Sequence, residues 1–148
     1  MEKQLIIFGL NNEEYGIDIL QVKEIIRMQD ITKIPNCPSF VEGIINLRGT
    51  IIPIVHLKKR FNMEYSENND ETRIIIVNID SKLVGFVVDK VLEVKRIDDK
   101  LIEDTKNIAV GIREDFISGI VKLDNRLIIL LDFAKILTRD EKDSLAII

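Results

Sequence analysis

The segment Gln4-Leu5-Ile6-Ile7-Phe8-Gly9-Leu10 returns 69 residues later as Arg73-Ile74-Ile75-Ile76-Val77-Asn78-Ile79. At the same offset Gly16 meets Gly85, Val22 meets Val91, Glu24 meets Glu93 and Arg27 meets Arg96. Further on, Phe40-Val41-Glu42-Gly43-Ile44-Ile45 returns as Phe116-Ile117-Ser118-Gly119-Ile120-Val121 at an offset of 76, so the second copy holds a longer loop, placed within Asp98 to Asp115. Leu47 then meets Leu123, and Ile51-Ile52 meets Leu127-Ile128. Three ordered matches with one insertion mark a duplicated unit. The chain is therefore constrained to two copies of one small structure. Neither copy is large enough to sustain a core alone, so the two are expected to pack together.

Each copy reads as a set of short strands. The segments beginning at Leu5, Ile44, Ile51, Ile74, Leu83, Ile120 and Leu127 are rich in Ile and Val and bounded by Gly, Asn, Asp or Pro. Several are apolar on both faces, as in strands of a small barrel or a sheet covered on both sides. Tight turns are expected at Leu47–Thr50 and Leu123–Arg126, with Gly49 and Asn125 as the residues tolerant of a left-handed conformation. Tyr15–Arg27 reads as a turn leading into a strand, by its match to Val84–Arg96. Each copy closes on a short helical stretch, His56–Phe61 and Asp132–Leu137. Asp132 suits an N-cap, whereas His56 in the matching place caps less well. A polar connector, Glu64–Glu71, joins the copies. The expectation is an all-β chain of two tandem small β-barrels, about residues 1–66 and about 72–138 of a single domain spanning 1–148. Strands at the ends of each repeat are open to packing into the other barrel.

Composition narrows the function. One histidine, one cysteine and no tryptophan leave few reactive side chains. No phosphate-binding glycine loop, G-x-S-x-G elbow or H-E-x-x-H helix is present, and a structural zinc site cannot be assembled from His56 and Cys37. The reading is of a chain without catalytic residues, cofactor or metal. A net charge of −4 argues against general affinity for phosphate backbones. Lys58-Lys59-Arg60 is the only basic run and is expected to form a solvated helix face. A lone cysteine excludes an internal disulfide, and the longest apolar run, Leu127–Leu131, is far too short for a membrane span. A cytoplasmic protein is expected, with no direct membrane insertion.

Tyr15-Gly16-Ile17-Asp18-Ile19 and Phe40-Val41-Glu42-Gly43-Ile44-Ile45-Asn46-Leu47-Arg48-Gly49-Thr50-Ile51-Ile52-Pro53-Ile54-Val55 closely resemble the CheW family of chemotaxis adaptors. Gly85-Phe86-Val87-Val88-Asp89-Lys90-Val91 and Leu127–Asp132 agree in order, so the resemblance covers residues 3 to 138, with Asn46-Leu47-Arg48-Gly49 its most specific part. The family usually has Asp where His56 stands. The resemblance implies two five-stranded SH3-like barrels, no catalysis and no cofactor. It implies two partners: the cytoplasmic tip of a methyl-accepting chemoreceptor and the regulatory domain of a CheA-type histidine kinase. The chain is expected to be a monomer alone and to be recruited to membrane-associated receptor arrays.

By the same resemblance, Val22, Arg48, Val84, Gly85, Val87 and Val94 line the receptor site. Ile19, Glu24 and Gly43 on the first barrel, with Glu103, Asn107 and Ile108 on the second, face the kinase. For each valine the alternative is core packing, and Gly43 is equally explained as a structural glycine because Gly119 repeats it. Arg48, beside Gly49 at a turn tip, has no core to fill, so its alternative is an idle exposed charge. Two rival classes remain: a CheW-like module of a larger chemotaxis regulator, and a small β-barrel nucleic-acid binder. The second lacks the basic groove and aromatic platforms such binders need.

Overall fold

The structure, a computed structural model, describes residues 1–65, 67–103 and 114–146. Strands β1 (Glu2–Leu10) and β2 (Glu13–Asp18) form a hairpin whose two turn residues, Asn11 and Asn12, are both left-handed. Its counterpart in the second copy joins β6 (Arg73–Ile79) to β7 (Lys82–Val88) through Asp80 and Ser81, again left-handed. Two such residues match the right-handed twist of the flanking strands.

After each hairpin the chain changes sheet. From β2 it passes through a 3-10 turn, Ile19–Gln21, into β3 (Val22–Arg27), β4 (Val41–Leu47), β5 (Thr50–His56) and the short helix α1 (Leu57–Arg60). From β7 it passes through Asp89 into β8 (Lys90–Asp98), the two-residue β9 (Ile102–Glu103), β10 (Ile117–Leu123) and β11 (Arg126–Leu131). Helices α2 (Phe133–Ile136) and α3 (Arg139–Ala146) follow. The strand orders are β3-β6-β7-β5-β4 and β8-β1-β2-β11-β10-β9. Each sheet thus takes its first hairpin from one copy and its remaining strands from the other. Each holds five strands, with β9 added to one. The sheets close as small barrels where Thr32, beyond β3, bridges Ile44 of β4, and where β9 pairs with β10.

The duplication is visible residue by residue. Parallel pairing of β5 with β7 sets Ile54 opposite Gly85, and parallel pairing of β11 with β2 sets Leu130 opposite the equivalent Gly16. Bulges recur at Lys23 and Leu92, and again just before Gly43 and Gly119. A Cβ on Gly85 would lie 2.6 Å from Ile54 Cδ1, and one on Gly16 would lie 2.8 Å from Leu130 Cδ2. These glycines let two strands approach.

Three apolar clusters explain why the strand sequences do not alternate. Ile45, Ile52, Ile54, Ile74, Ile76 and Val87 fill the five-stranded barrel. Leu5, Ile7, Ile97, Val121, Ile128 and Leu130 fill the other. The largest cluster lies between the barrels and takes Ile75, Val77, Phe86 and Val88 from one sheet and Ile6, Phe8, Tyr15, Ile17 and Ile129 from the other. Inner strands are therefore buried on both faces. Phe133 of α2 meets Phe8 edge-on at 6.1 Å and Phe86 at 4.8 Å, one ring from each sheet. Burial of each such ring stabilises by roughly 1.5–3 kcal/mol.

Candidate functional site

The β4–β5 turn carries two left-handed residues, Arg48 at φ 51° and Gly49 at φ 88°. The Gly49 N–H donates to Asn46 Oδ1 at 2.8 Å, which fixes the turn. Glycine is at ease in this conformation. Arginine is not, because its Cβ crowds the backbone. The Arg48 side chain is 69% exposed and reaches from the turn to β3, where Nη1 donates to Glu24 Oε1 at 3.1 Å and Nη2 donates to Oε2. The hydrogen bonds from Arg48 hold the Glu24 carboxyl below the usual carboxylate range, and the carboxylate raises the guanidinium in return. A fork-on-carboxylate pair of this geometry fixes direction as well as charge. The resemblance implies a receptor role for Arg48 and a kinase role for Glu24, and here the two side chains touch.

The matching turn in the second copy differs. Its left-handed residue is Asp124 at φ 53°, whereas Asn125, the residue expected there, is not left-handed. The arginine of this hairpin, Arg126, lies on the first residue of β11, only 34% exposed. It donates to Glu14 of β2 from Nε at 3.0 Å and from Nη2, and Nη1 pairs with Glu93 of β8 at 2.9 Å. Glu93 is the repeat equivalent of Glu24. The recurrence of that glutamate was the one signal in the sequence that pointed to this clamp.

The remaining receptor candidates separate by burial. Val94 on β8 is 53% exposed, and Val22 at the start of β3 is half-buried against the shared core. Val84 packs in the core between the barrels, while Gly85 and Val87 face the interior of the five-stranded barrel. For these three the packing account is complete within the chain. Of the kinase candidates, Ile19 is half-buried on the 3-10 turn beside Leu20, which is 89% exposed. Gly43 sits at a bulge with φ 141°, and a Cβ there would fall 2.1 Å from the Thr32 carbonyl oxygen, so the barrel requires glycine. Glu103 on β9 is exposed and pairs with Lys122 at 3.6 Å. Asn107 and Ile108 lie outside the described residues.

One expectation about α1 is corrected and one holds. Lys58-Lys59-Arg60 is not a solvated face. Lys58 is fully buried and pairs with Asp89 at 2.8 Å, and Lys59 pairs with Glu42 at 2.7 Å. Arg60 donates from Nε to the Ile136 carbonyl at 2.8 Å, pairs with Glu141 at 3.2 Å, and lies over the rings of Phe40 and Phe116. Lys58 and Arg60 fasten α1 to the second copy and Lys59 fastens it to β4, because long cationic side chains can bury their stems wherever a carboxylate meets the head. At the helix starts, Asp132 accepts from the Ala134 N–H at 3.1 Å, while His56 makes no cap bond. His56 is buried instead against Tyr65, with neither ring nitrogen partnered among the described residues, and burial pushes its pKa down to about 4. Among the described residues no three His, Cys, Asp or Glu side chains gather to hold a metal ion, and no helix is long and apolar enough to cross a membrane.

Two interlocked barrels with their displayed charge on a turn tip, rather than in a cleft, make a CheW-like domain, and the family model of that description matches residues 4–141. The chain is 37% identical to the chemotaxis protein CheW of Klebsiella aerogenes over 139 residues, covering 94% of this chain and 84% of that one. It is 37% identical to the chemotaxis protein CheW of Treponema pallidum, covering 97% and 86%. Among solved structures it is similar to the scaffolding protein TtCheW of Thermoanaerobacter tengcongensis, with a TM-score of 0.88, 41% identity, and 95% and 91% of the two chains covered. The chain belongs to the CheW family of chemotaxis scaffold proteins.

Proposed function

We propose that this chain is a non-catalytic adaptor that couples methyl-accepting chemoreceptors to the regulatory domain of a CheA-type histidine kinase. It would act in the cytoplasm, as a monomer when alone, recruited to receptor arrays. The observation that carries the reading is Arg48. A guanidinium held in a left-handed turn, mostly exposed, adds nothing to a core and sits in a conformation that Gly or Asn would adopt more readily. An unfavourable conformation at an exposed site is best explained by a contact outside the chain. Receptor contact would involve Arg48, Val22 and Val94, the surface members of the expected set, and Val84, Gly85 and Val87 would support them from beneath. Kinase contact would involve Ile19 and Glu24 on one barrel and the Glu103 region on the other. Engagement of all three basic residues of α1 speaks against the nucleic-acid reading.

Reconstitution tests this directly. Receptor cytoplasmic fragments, the kinase and ATP are combined with and without the chain, and autophosphorylation is measured. The expected outcome is receptor-dependent stimulation only when the chain is present. Kinase activity that ignores the chain would refute the reading.

A further inference from the structure

The chain passes between its two barrels twice, at residues 19–21 and at Asp89. The second passage is a single residue, and both oxygens of its half-buried carboxylate are engaged. Asp89 Oδ1 pairs with Lys58 Nζ at 2.8 Å, and Asp89 Oδ2 accepts from the Asn11 N–H at 2.8 Å. Lys58 Nζ also donates to Asn11 Oδ1 at 3.2 Å, and the Asp89 N–H donates to the Gly9 carbonyl at 3.0 Å. Lys58 belongs to α1 at the end of the five-stranded sheet, and Asn11 to the β1–β2 turn of the other sheet. One fully buried ammonium therefore holds three points: the end of one barrel, a turn of the other, and the strand joining them.

We propose that Lys58, Asp89 and Asn11 form a polar lock that sets the angle between the barrels, with Lys58 and Asp89 positioning residues for receptor binding. The shared apolar core holds the barrels together, but burial of apolar area is non-directional and tolerates rotation and sliding better than a charge-assisted triad does. Registry is the best-attested use of a buried ion pair. The angle matters because the surface residues proposed for the receptor divide between the barrels. Val22 and Arg48 lie on the five-stranded one, and Val94 lies on β8 of the other. The inference rests on the adaptor reading for its functional half only.

The test uses the full chain with Cys37→Ser and spin labels at the exposed positions 3 and 78, one on each barrel. Wild type, Lys58→Met, Lys58→Arg and Asp89→Asn are compared for inter-label distance and for affinity toward a receptor cytoplasmic fragment. Expected are a narrow distance distribution in wild type, a broadened or shifted one in Lys58→Met and Asp89→Asn, and receptor affinity weakened at least about tenfold in both, a loss of the size expected for a displaced charged contact. Lys58→Arg should restore both readouts. If Lys58→Met does not fold, Asp89→Asn decides, since its amide retains an acceptor for Asn11. A narrow, unshifted distribution in folded variants overturns the lock. Should wild type fail to bind the fragment at all, the adaptor reading falls, while the distance measurement still decides the lock.

Discussion

The β4–β5 and β10–β11 hairpins occupy the same place in the two copies, yet they treat their arginine in opposite ways. Arg48 stands at the turn tip in a left-handed conformation, mostly exposed, with a single carboxylate partner across the barrel mouth. Arg126 has moved two positions along, onto the strand, where it is half as exposed and is claimed by Glu14 and Glu93 together. The tip it left is held by Asp124, a residue type at ease in the left-handed region. One hairpin stores an awkward conformation and displays a charge. Its twin is relaxed, and its charge closes the barrel. Duplication supplied two equal frames, and the difference between them locates the surface that faces outward.

The largest expected effect concerns the frame itself. Each copy's first hairpin sits in the other copy's sheet, so residues 1–66 alone lack β6 and β7 of one sheet and β8 to β11 of the other, and residues 72–148 alone lack β1 and β2 of one and β3 to β5 of the other. Circular dichroism and proton NMR of the separate halves should show unfolded chains, and a mixture should recover native dispersion if refolding is efficient. A folded isolated half would contradict the shared-core account. The two helix starts sharpen the comparison next. His56 is neutral and buried where Asp132 caps. Its folded pKa of about 4 lies below the ordinary 6.5, so the folded state resists protonation. The corresponding stability is complete above about pH 6.5 and is lost as pH falls toward 4, by about 3 kcal/mol in all. Urea melts of wild type and His56→Leu across that window should show a steeper loss in wild type. Parallel pH profiles would remove His56 from the account. The smallest of these effects is the clamp. Arg126→Ala leaves Glu14 and Glu93 close together without their counter-charge and should cost about 1 kcal/mol, since exposed pairs are screened. Thermal melts at low and high salt would read it, and the cost should shrink as salt rises.

Much of this was legible in the sequence because duplication is written in matched residues. Gly16 with Gly85 marked the repeat, and Gly43 with Gly119 marked a glycine that both barrels need. The Ile and Val runs announced strands buried on both faces. The exchange of hairpins was not legible, since pairing between repeats and pairing within them need the same apolar pattern. Nor was the burial of Lys58. A basic run looks solvated unless its carboxylates are known, and Asp89, Glu42 and Glu141 come from distant parts of the chain. Helix α3 lies beyond the stretch that the repeat or the resemblance described. At the candidate site, Arg48 was legible from its turn, whereas its contact with Glu24 depended on how β3 wraps toward β4.

The central claim is that the first hairpin is built for a partner and the second for the barrel. Arg48→Asn and Arg126→Asn, compared in one experiment, test it most directly. Each is melted thermally and titrated against a receptor cytoplasmic fragment and the kinase regulatory domain. For Arg48→Asn the account predicts a melting temperature equal to or above wild type, because Asn accepts the left-handed conformation. Receptor affinity should fall roughly tens- to thousands-fold, with a much smaller change toward the kinase domain. For Arg126→Asn it predicts the reverse: a lower melting temperature and receptor affinity within about threefold of wild type, as expected for a charge outside the contact. Unchanged receptor binding by Arg48→Asn, or equal losses from both substitutions, would contradict the account.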